Sequence, residues 1–347
     1  MSLVLVAPGL LASPSGAIER EPAFARLARH AGGPRIQPAG IAGAMLRASQ
    51  WPDATPLAPL AALGAGADPG EAWVSFADPV HLDAGAADVV LTRRIDDLRR
   101  EESEALVTTL ADHFAGDGLR FVGPRTGAWF VYAAQAPQIT TTDVDAVVGQ
   151  SLLAHMPKGH HARTWKRWQD EIGMLLHDHP VNAFREREGR QSANAVWFWG
   201  GGRLARAASQ APVHVSAAAG RTGDIARGMA LASGGSVTPW PPAPGWPEEA
   251  PDRHRAQGDP SAGDATTIVV TERIGSEGGD GAVGAFARDR LQPALALLEG
   301  RRIDALHLVA DGNGVAATWT ARPSGPLARL AARLRGHAFR IPPAART

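Results

Sequence analysis

The densest run of chemically capable residues comprises Asn182, Arg185, Arg187, Gly189, Asn194, Trp197 and Trp199. Asn182 and Arg185 are three apart, so on a helix they share one face, where a guanidinium and an amide can converge on one oxyanion. The same spacing admits a structural reading, with Arg185 paired to Glu188 three residues on while the tryptophans fill core; the residues alone leave the two open. The 12 histidines form two local groups, His155 with His160 and His161, and His177 with His179. Residues two apart on a helix point to different faces, so His177 and His179 make no helical metal pair, and a capping or solvated role beside Pro180 is favoured. His160 and His161 sit in the basic stretch from Lys158 to Arg167, which reads first as a solvated charged face and second as an anion contact. Gly200-Gly201-Gly202 follows a strand and offers backbone N–H groups as a phosphate loop would. Neither the Lys-Ser/Thr of a Walker loop nor the dinucleotide fingerprint accompanies it, so a tight turn near a close backbone contact is favoured.

These residues need elements to position them. Leu3-Val4-Leu5-Val6, ended by Pro8-Gly9, has the continuous aliphatic character of a buried parallel strand. Helices are expected over Pro22–His30, Ile41–Ser49 and Pro56–Leu63. Short strands at Trp73–Phe76, Asp88–Thr92, Leu119–Val122 and Trp129–Ala133 surround a helix at Arg100–Phe114, whose first turn gathers Glu101, Glu102 and Glu104, favoured by the helix dipole. Thr164–Asp178 is strongly amphipathic, with Trp165, Trp168, Ile172, Leu175 and Leu176 on one face. A helix from Pro180 to about Gly189 and a strand at Ala195–Phe198 follow. Strands at Val213–Ser216, Thr267–Thr271, Ala305–Val309 and Val315–Thr320 then alternate with helices, the last at Pro326–Leu334. The proline-rich stretch Gly234–Gly263 reads as a surface excursion. Alternating strands and helices at both chain ends predict one parallel sheet, residues 1–72 with 204–347, interrupted by an inserted α+β lobe at 73–203.

Composition narrows the chemistry. The chain has 347 residues, and Lys+Arg 35 balances Asp+Glu 35, without the basic excess of a nucleic-acid binder or a polybasic membrane anchor. With Cys 0 there is no disulfide, zinc-thiolate site, iron–sulfur cluster or cysteine nucleophile. The apolar run Leu3–Ala7 is too short for a membrane span and lacks a basic flank, so a soluble cytoplasmic protein is expected. Trp 10 against Tyr 1 is an unusual spread of aromatics.

The stretch from Glu171 to Arg203, EIGMLLHDHPVNAFREREGRQSANAVWFWGGGR, resembles the HPxNxxR, G, xAN and WxWGxG run of the archaeal-type, cofactor-independent phosphoglycerate mutases. Asp78 to Arg203 is also similar to a bacterial group of regulatory proteins of the RpfE type, through the DPVHL run at Asp78–Leu82 and the segment Asp170–Asn182. The resemblance implies an alkaline-phosphatase-like α/β fold, a doubly wound, mostly parallel sheet with an inserted α+β lobe. It implies substrate contacts by Asn182, Arg185 and Asn194, with Arg93 or Arg94 near a further arginine position. It also implies a two-metal phosphoryl-transfer centre, whose ions would neutralise phosphoryl oxygens and activate a nucleophile.

The chain departs from that centre. Pro8 occupies the metal-binding Asp position after the first strand, Thr55 falls at the nucleophile position with Pro56 replacing the adjacent Asp, and Gly312 replaces the His that should follow Asp311. The Asp-and-His box after the strand at Thr267–Thr271 is replaced by Arg273 to Asp280, which contains no His. Asp311 alone matches a family ligand, and one ligand does not hold a hard metal. The sequence therefore predicts a protein without a resident cofactor that has lost phosphoryl transfer and binds a phosphorylated or carboxylated small molecule, or a protein partner. The alternatives are an active mutase or phosphatase using Thr55 and a divalent ion, manganese or zinc, and an interaction module with a vestigial cleft.

Overall fold

Aliphatic runs bounded by glycine and proline become strands, and one-sided apolar repeats become the helices that cover them. The computed structural model describes residues 1–37, 40–85, 88–123, 128–204, 211–241, 265–275, 279–323 and 339–343. The strands are β1 (Ser2–Ala7), β2 (Arg35–Gln37), β3 (Trp73–Ala84), β4 (Val89–Arg94), β5 (Leu119–Val122), β6 (Phe130–Ala133), β7 (Ala195–Gly202), β8 (Val213–Ala217), β9 (Ser236–Thr238), β10 (Thr266–Val270), β11 (Ala305–Gly312) and β12 (Val315–Ala321). The helices are α1 (Ala17–Arg20), α2 (Pro22–Ala28), α3 (Gly40–Ala48), α4 (Leu57–Gly64), α5 (Arg100–Phe114), α6 (Leu152–His155), α7 (Ala162–His177), α8 (Pro180–Arg187), α9 (Arg221–Ala232), α10 (Gly279–Phe286) and α11 (Gln292–Glu299). The chain divides into two compact units, residues 1–54 with 207–347, and residues 55–206.

The first unit is built on a seven-stranded sheet in the order β2-β12-β11-β1-β10-β8-β9. β1 lies between β10 and β11, parallel to both, and β8 and β9 extend the parallel set. β12 and β2 close the other edge antiparallel. Leu3 and Leu5 join Phe24 and Leu27 of α2, Leu295 and Leu298 of α11, and Leu306 and Leu308 in one apolar cluster. Val4 and Val6, fully buried, alternate to the other face. There α3 packs on β1, β11 and β12, and α9 on β8 and β10. With helices on both faces the sheet is doubly wound and mostly parallel, which explains why β1 has no polar residue among Leu3 to Ala7.

Two stretches differ from the sequence reading. Ser236–Thr238, inside the proline-rich segment, adds a parallel edge strand to β8; three exposed residues carry no apolar period to announce it. Arg35–Gln37 is a second short edge strand that periodicity did not mark. Residues 242–264 and the helix expected at Pro326–Leu334 lie outside the described residues.

The second unit holds a five-stranded antiparallel sheet in which the long strand β3 is the spine. β7 pairs along one side of β3, while β6 pairs with Trp73–Phe76 and β4 with Val80–Ala84 on the other. Pro79, which donates no hydrogen bond, falls in the gap between β6 and β4, so a proline sits in a central strand without breaking a ladder. Its carbonyl still accepts from the Ile95 amide at 2.8 Å. α5 and α7 cover one face, burying Leu106, Leu110, Phe114, Trp165, Ile172 and Leu176 with Val196 and Phe198 of β7. α4 packs on β3 and β7, so residues 55–72, expected with the parallel-sheet core, group by contact with the lobe.

Candidate functional site

The motif-bearing residues come together in the second unit, and the proline before α8 begins the arrangement. Pro180 opens that helix at its first position, and the His179 side chain caps it, Nδ1 accepting from the Val181 amide at 3.2 Å. The other ring nitrogen therefore carries the proton in the neutral ring and lies 3.1 Å from Thr109 Oγ1. Burial holds the His179 pKa below the ordinary histidine value. His179 is thus a helix cap, the role favoured over metal binding.

Asn182 follows, 1% exposed. Its amide nitrogen donates to the carbonyls of Leu176 at 2.7 Å and Ala193 at 2.9 Å, and its carbonyl accepts from the Ala193 amide at 2.9 Å. Three of its four hydrogen-bonding valences are spent joining the end of α7 to the strand leading into β7. Asn194 repeats the device against β3, accepting from the Leu82 amide and donating to the Leu82 carbonyl, both at 2.8 Å. Both amides substitute for a backbone partner.

Arg185 is fully buried. Nε donates to the Gln191 carbonyl at 2.8 Å, and the two terminal nitrogens reach Glu102 Oε2 at 2.9 Å and Asp97 Oδ1 at 2.8 Å. Arg190 binds the same two acids, Glu102 Oε1 at 2.8 Å and the Asp97 carbonyl at 2.6 Å. Burial pushes the Glu102 pKa up, but the Arg99 amide and the Arg190 and Arg185 guanidiniums outweigh it and hold the carboxyl below its ordinary value. Burial likewise opposes Asp97, and Arg185, Arg93 and Arg190 lower it on balance. The Arg185–Glu188 pair that the spacing admitted as one of two readings is not formed; Glu188 meets Arg99 and Arg190 instead, at 3.4 and 3.6 Å. The Arg185 guanidinium thus has all three of its nitrogens bonded within the protein, to two carboxylates and a carbonyl.

The Asp78–Leu82 run lies on β3, beside β7. Asp78, 1% exposed, accepts from the Trp199 indole at 2.6 Å, and His81 Nδ1 is 2.8 Å from the Ser192 carbonyl. Ser75 donates to the Phe76 and Trp199 carbonyls at 2.9 Å, where the β3–β7 register shifts. Asp97, Arg190 and Ser75 were not singled out by sequence, and Glu102 was named only for the first turn of its helix; the available signal was Glu102 three residues after Arg99, the spacing of a capping box. The tryptophans of this region fall on two faces of the sheet. Trp165 packs edge-on against Phe198 at 4.8 Å, whereas Trp197 and Trp199, alternating with Phe198 along β7, bond Thr142 and Asp78 on the opposite face.

Gly200–Gly202 is no phosphate loop. All three residues continue β7, and a side chain at Gly201 would strike the Trp73 ring, one at Gly202 the ring of Pro56. These glycines let α4 and the Trp73 indole approach the strand.

Arg94 and Arg93 lie at the end of β4. Arg94 meets Asp145 at 3.1 Å; burial opposes its charge, but Asp145, Asp78, Asp96 and Asp143 hold its pKa above the ordinary value. Arg93 is more open, its side chain 47% exposed and 3.7 and 3.8 Å from Asp96 and Asp97. Thr55 is half-buried two residues before α4, whose N-cap is the extended Pro56.

Asp311 belongs to the first unit, at the carboxyl end of β11. Its Oδ1 accepts from the Gly9 amide at 2.6 Å, so the carboxylate closes on the turn after β1. Beside it stand Pro8 and Gly312, which have no ligating atom in their side chains. Among the described residues no group of three or more His, Cys, Asp or Glu side chains could hold a metal ion. The residues described do not fit the two-metal centre that the family resemblance implies.

Residues 57–182 match the family model of 2,3-bisphosphoglycerate-independent phosphoglycerate mutase. The chain is 33% identical over 89 residues to a probable 2,3-bisphosphoglycerate-independent phosphoglycerate mutase of Geobacter sulfurreducens, covering 25% of this chain and 22% of that protein. It is 25% identical over 104 residues to the mutase of Methanosarcina mazei, covering 29% and 26%. The match thus spans about a quarter of the length of these curated relatives. Two solved structures align over 92% of this chain: a cofactor-independent phosphoglycerate mutase from Thermoplasma acidophilum, with 15% identity, 89% coverage of that chain and TM-score 0.39, and a protein from Pyrococcus horikoshii, with 16%, 87% and 0.48. The residues matched by the family model all fall within 55–206, the unit that carries the hydrogen-bonded seam. Through that unit the chain is related to the cofactor-independent phosphoglycerate mutases.

Proposed function

We propose that this protein is a phosphoglycerate mutase-like chain that no longer transfers phosphoryl groups by a two-metal route and serves as a binding or regulatory protein, in keeping with its likeness to the RpfE-type group. The observation that carries the reading is the state of Asp311. The single side chain matching a family metal ligand is tied to the Gly9 amide, with Pro8 and Gly312 in place of its partners. Asn182, Arg185 and Asn194, proposed from the resemblance as substrate contacts, have their polar groups committed to the protein. Their retention is explained by folding, and a small-anion role narrows to Arg93 and Arg94, of which Arg93 is the more open.

The reading is tested by thermal unfolding with added 3-phosphoglycerate. A ligand at 100 times its dissociation constant adds about 2.7 kcal/mol to stability. The expected result is a concentration-dependent upward shift in Tm that Arg93→Ala removes. No shift at millimolar ligand favours a protein-partner role for the chain over small-anion binding. The enzyme reading, with Thr55 as nucleophile and manganese or zinc supplied by unconventional ligands, predicts turnover that Thr55→Ala abolishes.

A further inference from the structure

We infer that the end of β1, where the resemblance to the mutases implies a metal centre, is closed by a hydrogen-bonded clasp from the β11–β12 hairpin, in which Asp311 and Asn313 are positioning residues. The inference rests on the reading that no two-metal centre operates, and states what the residues found there do instead.

The hairpin tip is Asp311-Gly312-Asn313-Gly314. Gly312 pairs with Val315, so Asn313 and Gly314 form a two-residue loop. Both have positive φ, 52° and 75°, as the tightest connection between antiparallel strands requires, and Asn-Gly adopts it readily. The turn places the tip at the end of β11, beside β1. There the chain leaves β1 through Pro8 and Gly9 and makes a single short helical turn, Leu10–Ala12.

Two hydrogen bonds fasten the tip to that turn. Asp311 Oδ1 accepts from the Gly9 amide at 2.6 Å, and Asn313 Nδ2 donates to the Leu11 carbonyl at 2.7 Å. An acceptor and a donor two residues apart on the tip thus meet a donor and an acceptor two residues apart on the turn. Between them Gly312 packs so closely that a Cβ there would collide with the Ala12 amide nitrogen. The other side of the turn is held by the loop after β10: the Ile274 amide donates to the Pro8 carbonyl at 2.7 Å, and a Cβ at Gly9, whose φ is 77°, would come within 2.6 Å of the Ile274 carbonyl oxygen.

Gly9 and Leu11 are buried, so without the tip their N–H and C=O would lose their partners away from water, at a cost in stability. This accounts for Asp311 in a chain that has Pro8 and Gly312 beside it: the carboxylate serves as an acceptor for backbone. In open α/β sheets ligands enter beyond the carboxyl ends of the strands. Between β1 and β11 that entrance is occupied by the clasp, and a ligand reaches it only when the tip lifts.

Hydrogen exchange by mass spectrometry on peptides covering Gly9, with thermal unfolding of the same full-length proteins, tests the clasp. Asp311→Asn keeps a side-chain oxygen for the Gly9 amide but is a poor metal ligand, and Asp311→Ala deletes the acceptor. Asn313→Gly keeps the turn and deletes the donor. The expected result is exchange at Gly9 roughly tenfold faster in Asp311→Ala and in Asn313→Gly than in the parent and Asp311→Asn, and a parent Tm that added manganese leaves in place. Unchanged Gly9 exchange in either Asp311→Ala or Asn313→Gly overturns the proposal, as does a manganese-induced rise in the parent Tm that Asp311→Asn removes. Exchange reads the clasp and turnover reads the loss of phosphoryl transfer, so the two fail separately.

Discussion

Arg185 is the residue whose type and spacing looked most functional and whose surroundings are most fully occupied. A guanidinium three residues from an asparagine could clamp an oxyanion, but here it is enclosed by Asp97, Glu102 and the Gln191 carbonyl. Removing one partner of such a network leaves a buried charge uncompensated, so Glu102→Ala is expected to cost about 3 kcal/mol, read by denaturant unfolding. The pH dependence follows from the same carboxyl. The folded Glu102 pKa lies below the ordinary 4.5, so its stabilisation is complete above that value and is lost as pH falls through the lowered folded value. Unfolding between pH 5 and pH 2 should therefore show an acid limb that Glu102→Gln flattens; an unchanged limb would place the acid sensitivity elsewhere. Arg93→Ala, which removes a half-exposed side chain with distant partners, is expected to leave Tm within about 1 °C of the parent.

At the scale of elements, the legible parts were those with strong periodicity. The amphipathic spacing of Trp165, Trp168, Ile172 and Leu176 located α7, the anionic first turn and Leu106, Leu110 and Phe114 located α5, and the aliphatic run located β1. The strand read at Trp73–Phe76 runs on to Ala84 as β3, and only the pairing shows Pro79 sitting where one neighbour strand gives way to another. The glycine triplet was read as a tight turn near a close backbone contact; the close approach is there but the three residues continue β7, and the identity of the neighbours, Trp73 and Pro56, depends on tertiary contacts between residues more than 100 apart. Gly202→Ala is accordingly expected to destabilise the α4–β7 contact by about 1–3 kcal/mol, and Pro56→Ala in the same chain should recover part of it. Equal stability of Gly202→Ala and the parent would show that the contact yields without cost. The carboxylates facing Arg185 were illegible for the same reason. Asp97 and Glu102 lie more than 80 residues before it, and no local rule links them.

For the whole molecule, resemblance and geometry divide along the two units. The unit spanning residues 55–206 contains the matched segment and explains its motifs as a seam of amide, guanidinium and indole bonds. The other unit holds the doubly wound, mostly parallel sheet, and its strand ends at Pro8, Asp311 and Gly312 supply no set of metal ligands among the described residues. The proposed binding role rests on that contrast, since fold and activity are separable. The most direct measurement of that claim is the interconversion of 3- and 2-phosphoglycerate by the purified chain with manganese or zinc added, for the parent and Thr55→Ala side by side. The account predicts no turnover above the metal-only control in either protein; turnover by the parent that Thr55→Ala abolishes would contradict it.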